Sequence, residues 1–395
     1  MSAIEGRGRR TARAVSEASA RRAPSLTVAG SREIYSAQTQ SEAHLRAAPD
    51  RRRGFVSPPA RAASLALLLA AAAAVTLGEP SKTSVFNPAS TPAADIHKYS
   101  LFVFGITGAI FATVFTLLVV AIVRFRRRPG DDAAEPPQIY GSDQVEIAWT
   151  VIPILIVLVL GLTTARTVFQ IQGRAAPEGA LKVTAIGRQW WWEFRYPEYG
   201  IVTANELHVP VADGAKPRLT FLRLESADVA HSFWVPRLAG KTDLIPNRVN
   251  ETWIEPREMG LFEGQCAEYC GTEHAKMLLR VYVHSREDFD RWVADQQASS
   301  ATRSEVAEGR RVFETTACLN CHTVRGTVGN GRYGPDLTHL MSRETLAAGA
   351  VANTPEQLRA WVHDPNALKP GALMPAMQLD DRRLDALVAY LLTLR

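Results

Sequence analysis

The sequence predicts three folded parts in order: a two-helix transmembrane hairpin, an all-β sandwich and a small all-α domain. Three observations carry this expectation. Two uncharged apolar runs, Leu101–Val123 and Ile147–Ala165, are 23 and 19 residues long. β-branched and aromatic segments between Pro, Gly and Asp turns then fill residues 182 to 284. Residues 303–395 carry a Cys-x-x-Cys-His string and apolar residues at helical spacing.

The leader comes first. The 395-residue chain has a net charge of +5, but residues 1–61 hold twelve arginines, no lysine and five acids. The remaining chain has 33 basic and 35 acidic residues. The basic character therefore belongs to the leader and gives no support to nucleic-acid binding. Arg, Ser and Ala dominate residues 1–61, which cannot bury a core and read as disordered. Arg51, Arg52, Arg53 and Arg61 precede an apolar run from Ala62 to Leu77. At 16 residues it is short for a bilayer core of ~30 Å, so residues 62–78 read as the apolar part of a signal peptide.

The hairpin, residues 95–166, follows. At helical rise its two runs reach about 35 and about 28 Å, enough to span. Arg124, Arg126, Arg127 and Arg128 abut the first run, which makes the connecting loop cytoplasmic by the positive-inside rule. Everything after Arg166 is then expected outside the cytoplasm, where thiols meet an oxidising environment.

The β domain is expected over residues 180–284. "KVTAIGRQWWWEF", "IVTANELHVPV", "RLTFLRLE", "AHSFWVP" and "LLRVYVH" read as short strands. Alternation sends Trp190 and Trp192 to one face and Trp191 to the other. In "EGQCAEYCGTEHAKM", Cys266, Cys270 and His274 recur at equal intervals, and Met277 follows. His231 stands ahead of "SFWVP". Three readings compete. The cysteines could pair as a disulfide in this compartment. Two Cys and two His could hold zinc. Two thiolates could bridge two copper ions, each with one imidazole, with Met277 as a soft axial donor. Zinc gains little from a thioether, so Met277 favours copper. His208 reads as an ordinary strand histidine.

Residues 285–302 are charged, then small and polar, which suits a helix tail and a linker. The last domain, 303–395, contains "CLNCH". A His directly after the second Cys makes this a c-type haem attachment string. Cys318 and Cys321 would bond the haem covalently, and His322 would be the proximal iron ligand. His339, Met341, Met374 and Met377 are candidates for the sixth position. The loop "KPGALMPAM" favours a thioether, and His339 reads as a surface residue. "TPEQ", Thr354–Gln357, is a capping box with Pro355 at the first helical position. Leu384, Leu387, Val388 and Leu391 line one face of a terminal helix.

The string "HSFWVP…KTDLIPNRVN…GQCAEYCGTEHAKM", after two spans and "QWWWEF", resembles subunit II of haem–copper cytochrome c oxidases over about residues 95–284. The resemblance implies a cupredoxin fold with a binuclear CuA centre. Cys266 and Cys270 would bridge, and His231 and His274 would be the imidazole ligands. Met277 and the Glu268 carbonyl would be weak ligands, and the Glu268 carboxylate would reach a magnesium ion facing subunit I. Glu146 would stand at the mouth of a proton pathway, and Trp190 near the surface where electrons arrive. Quinol-oxidising relatives lack the copper ligands that are present here. "YGPDL" and "KPGALMPAM" resemble a small class I cytochrome c with Met374 as the axial ligand, so the whole resembles a caa3-type subunit II. Its function would be to pass electrons from a soluble cytochrome c or similar donor through haem c and CuA to subunit I, where oxygen is reduced with proton pumping. The implied setting is a bacterial plasma membrane, in company with the other oxidase subunits, with both metal domains on the outer, periplasmic side. Two alternatives are a CuA subunit of a nitric-oxide reductase and a copper-binding assembly protein.

Overall fold

A computed structural model describes residues 81–126, 138, 140–212, 217–298 and 306–395. The leader, the signal-peptide run, Arg127, Arg128 and the end of the expected linker lie outside the described residues.

Two long helices open the structure. α1 spans Thr91–Arg124 and α2 spans Asp143–Gln172, each extending past the uncharged run within it. Their apolar side chains are exposed along nearly the whole length. Helices so apolar and so uncovered belong in lipid, where every backbone group must be satisfied within the helix. The chain is membrane-anchored.

The β domain is a two-sheet sandwich, as expected from the strand spacing. Its strands are β1 Leu181–Arg188, β2 Trp191–Tyr196, β3 Ile201–Ala204, β4 Glu206–Pro210, β5 Thr220–Ser226, β6 His231–Trp234, β7 Thr242–Leu244, β8 Asn250–Ile254, β9 Gly260–Cys266 and β10 Leu278–His284. One sheet runs β3-β2-β1-β5-β8 and the other β4-β10-β9-β6-β7. β1 pairs with β5 and β4 with β10 in parallel, and the remaining pairs are antiparallel. Period-two alternation buries Trp192, Phe194, Tyr196, Leu222, Phe233 and Phe262 between the sheets. Trp190 joins this core with Trp192, and Trp191 is half-buried and outside it.

The stretch expected to be a helix tail and linker carries α3, Arg286–Gln297. Ser285 caps it by accepting from Asp288 N. Phe289 and Val293, four residues apart, pack into the sandwich core. α3 is therefore part of the β domain's packing as well as the start of a tether.

The last domain is helical, with α4 Ala307–Thr315, α5 Cys318–Cys321, a short hairpin of β11 Thr345–Leu346 and β12 Val351–Ala352, α6 Pro355–His363, α7 Pro365–Leu368 and α8 Asp381–Leu391. Thr354 caps α6 through Gln357 N, with Pro355 in the first turn. Leu384, Leu387, Val388 and Leu391 all face the core, packed with Phe313 and Tyr390. His339 departs from its expected surface position. It is 5% exposed, and its Nε2 meets Arg325 at 2.7 Å.

Candidate metal centre and haem site

The loop joining β9 to β10 brings the predicted copper donors together. β9 ends at Cys266, and a single 3-10 turn, His274–Lys276, brings the chain back to Met277 at the start of β10. His231 reaches the same spot from the start of β6, whose Phe233 pairs with Cys266. Cys266 Sγ and Cys270 Sγ are free thiols 3.8 Å apart. His231 Nδ1 lies 3.9 Å from Cys266 Sγ, and the Glu268 carbonyl 3.1 Å from the same sulfur. His274 Nδ1 lies 3.6 Å and Met277 Sδ 3.8 Å from Cys270 Sγ.

The donors thus divide into two halves around a shared pair of sulfurs. Each half has one imidazole and one weak donor. A single tetrahedral ion would use four donors and leave Met277 and the carbonyl idle. Soft thiolates, imidazoles and a thioether fit copper. The thiols sit close enough to share one proton. That contact holds Cys266 far below its ordinary range and pushes Cys270 up. A metal would displace that proton.

Asp228, in the β5–β6 turn, is a residue that sequence reasoning missed. It meets His231 Nε2 at 2.7 Å, which leaves Nδ1 free toward the sulfurs. Burial works against a charged His231, yet the Asp228 carboxylate and the Cys266 sulfur together outweigh it and raise the imidazole above its ordinary value. Asp228 also accepts from the backbone of Gln189 and Val229. Gln189 Nε2 and Trp190 Nε1 both donate to the Cys270 carbonyl, at 2.7 and 3.0 Å. Gly271 next in line has φ +118°, and a Cβ there would meet Trp190 at 3.0 Å. Only glycine suits both demands.

The haem residues surround a cavity of about 670 Å³. Cys318, Cys321, His322, Met374 and Met377 all line it, together with apolar side chains such as Phe313, Leu358 and Leu391. His322 Nδ1 meets the Pro335 carbonyl at 2.8 Å, so Nε2 is left free for a metal. Burial holds His322 below its ordinary value, which keeps it neutral. A Cβ on Gly334 would strike the His322 ring at 2.5 Å. These two contacts account for Gly334 and Pro335 of the "YGPDL" string. Arg343 lines the cavity, is 9% exposed, and its Nε lacks a hydrogen-bond partner. A haem brings carboxylates that such a group can take. The cavity, the thiols and the unpartnered Nε of Arg343 fit a covalently bound haem.

Trp190, Trp191, Gln189 and Asp228 line the same cavity from the β domain. Trp190 is 9% exposed, lying between the copper loop and the haem cavity rather than on an open surface. Glu146 belongs to neither cluster. It sits exposed in the first turn of α2. Glu268 is exposed beside the copper donors.

Fold and site together define a membrane-anchored cupredoxin domain joined to a c-type cytochrome domain. Three family models match: the cytochrome c oxidase subunit II transmembrane domain at residues 79–166, its periplasmic domain at 204–283, and cytochrome c at 306–395. Cytochrome c oxidase subunit 2 of Alkalihalophilus pseudofirmus is 34% identical over 326 residues, covering 81% of this chain and 92% of that one. The same-named protein of Bacillus sp. strain PS3 is 34% identical over 291 residues, covering 69% and 80%. A crystal structure of the periplasmic domain of subunit II of cytochrome oxidase from Bradyrhizobium japonicum is 32% identical, covering 31% of this chain and 97% of that one, with a TM-score of 0.29. The chain belongs to the cytochrome c oxidase subunit II family, a component of an oxidoreductase.

Proposed function

We propose that this subunit carries electrons from a soluble donor, through its cytochrome domain and then its cupredoxin domain, to a haem–copper subunit I. The observation that supports this most is the position of Trp190. It lines the haem cavity and donates to the carbonyl of Cys270. The two clusters therefore meet across one aromatic residue, which acts as a relay between them. The names of the relatives favour this over the nitric-oxide reductase and copper-assembly alternatives.

When bound, copper at CuA and covalent haem c each supply reversible one-electron chemistry. The ligands in this reading are His231, Cys266, Glu268 through its carbonyl, Cys270, His274 and Met277 for copper, and Cys318, Cys321, His322 and Met374 for haem. Asp228 fixes the His231 tautomer, and Pro335 fixes that of His322. Burial of Cys266, Cys270 and Met277 excludes water and holds the donors rigid, so ligation changes little with oxidation state. The exposed Glu268 carboxylate is free to face a magnesium ion at the junction with subunit I. Glu146 would begin a proton route into that subunit. The loop after α1 faces the cytoplasm, and both metal domains face the periplasm of a bacterial plasma membrane.

The membrane complex, purified intact, tests this reading. Mixed-valence copper in the EPR spectrum, two coppers per chain, covalent haem c and oxygen uptake driven by a reduced soluble cytochrome are expected. A single zinc in place of copper would defeat it. Reporters fused near Asp131 and near Ser300 are expected inside and outside, respectively, and a reversed result would overturn the topology.

A further inference from the structure

Lys369 begins the "KPGALMPAM" loop and is 3% exposed. Its ammonium donates to three backbone carbonyls: Trp190 at 2.8 Å, Lys276 at 2.9 Å and Ala347 at 3.1 Å. Trp190 belongs to the β1–β2 turn, Lys276 to the copper loop and Ala347 to the cytochrome domain. An ammonium has three donors, and here all three are used: two cross to the β domain and the third, to Ala347, ties the amine to its own domain. Burial pulls the amine down to about 8, which still leaves it protonated at neutral pH. A buried cation costs desolvation that an apolar side chain of the same length would avoid. Its presence therefore points to specificity of placement.

Other contacts follow the same junction. Glu206 on β4, 1% exposed, accepts from Glu344 N, Thr345 N and Thr345 Oγ1 at 2.9 to 3.1 Å. Leu278 N, next to Met277, donates to Ala348 O at 3.1 Å. None of these groups is a metal or haem ligand.

We infer that Lys369 is a positioning residue that locks the cytochrome domain against the copper loop, holding the haem cavity beside Trp190. This rests on the electron-carrier reading above. Lys369 also lines the haem cavity, but its ammonium is spent on backbone carbonyls, so the lock fixes position without supplying a ligand to either redox centre.

The test uses the full-length subunit in its complex, with Lys369→Met and, separately, Glu206→Ala. Hydrogen exchange at Leu278 is the direct reporter, because that amide bonds across the junction. Its exchange is expected to quicken about tenfold in either variant, the effect of losing a charge-assisted hydrogen bond. Exchange in α8 should stay at the parent rate. Haem-to-copper electron transfer should slow by a similar factor in either variant, with reduction of haem by the soluble donor unchanged in Glu206→Ala, whose side chain lies outside the cavity lining. If Lys369→Met also loosens α8, the Glu206→Ala result decides. Parent-level protection of Leu278 together with a parent transfer rate overturns the lock alone. A parent complex lacking either the copper EPR signal or covalent haem overturns the electron-carrier reading, and the lock with it.

Discussion

Asp228 accepts a hydrogen bond from His231 Nε2 at 2.7 Å, and that bond turns Nδ1 of the same ring toward Cys266 Sγ, 3.9 Å away. The carboxylate sets which nitrogen can bind metal. Removing it frees the ring to take the wrong tautomer. Asp228→Ala is therefore expected to weaken copper binding about 10–100-fold. Competition with a copper chelator measures this, and an unchanged affinity would show that Asp228 serves only the turn.

Met277 is fully buried against Cys270. Met277→Leu conserves volume, so stability should change by less than about 1.5 kcal/mol. Copper should stay bound, because both thiolates and both imidazoles remain. The reduction potential should shift, since a weak axial thioether tunes more than it holds. Redox titration followed by EPR reads both effects, and loss of copper would contradict this division of roles.

Met374 and Met377 both line the haem cavity. Met374→Ala should leave haem attached through Cys318 and Cys321 but open the sixth position. The haem potential should fall, and an added ligand such as imidazole should bind. Met377→Ala should keep the parent optical spectrum. The opposite pattern would move the axial role to Met377 and leave the fold and function standing.

His208 Nδ1 and His284 Nε2 lie 2.8 Å apart with their rings stacked, and Trp292 of α3 stacks on His208 at 4.4 Å. That hydrogen bond needs one proton between the two nitrogens, so a doubly charged pair breaks it. Burial holds both imidazoles below their ordinary value, and for His208 the neighbouring His284 adds to the effect. Below pH ~6.5 the unfolded chain then binds more protons than the folded one, and stability falls with falling pH. Thermal melts between pH about 7.5 and about 5 should show a declining midpoint. His208→Asn should flatten the trend, and a flat parent profile would remove the pair from the account.

What the sequence made legible follows from distance along the chain. Cys266, Cys270, His274 and Met277 are local, so their types and spacing made a metal loop legible beside the disulfide reading. "CLNCH" is local too. The capping box at Thr354 and the apolar face of α8 needed only helical period. Asp228 escaped notice because its role depends on how the β5–β6 turn meets His231. Lys369 escaped because its partners are carbonyls, which every residue has, drawn from three distant segments. Trp190 was visible as an aromatic, yet its burial under the cytochrome domain is a tertiary fact. His339 looked like a surface residue because nothing near it in sequence announces Arg325. α3 looked like a tether because its two core contacts, Phe289 and Val293, are few among charged neighbours.

The start of α1 and the end of α2 are fastened to one margin of the sandwich. Ala89 and Ser90, just before α1, bond with Arg257 and Glu255, and Ser90 pairs with Pro256. Trp253 of β8 donates to the Ile171 carbonyl near the end of α2, and Arg174 lies over its ring at 4.5 Å. Ala89 is itself part of the sandwich core, although it precedes the hairpin by sequence. The β domain is thus discontinuous, and the hairpin is an excursion that leaves it and returns. A soluble fragment cut at residue 180 would lack a piece of its own interior. Force applied along either helix would load the same edge strand.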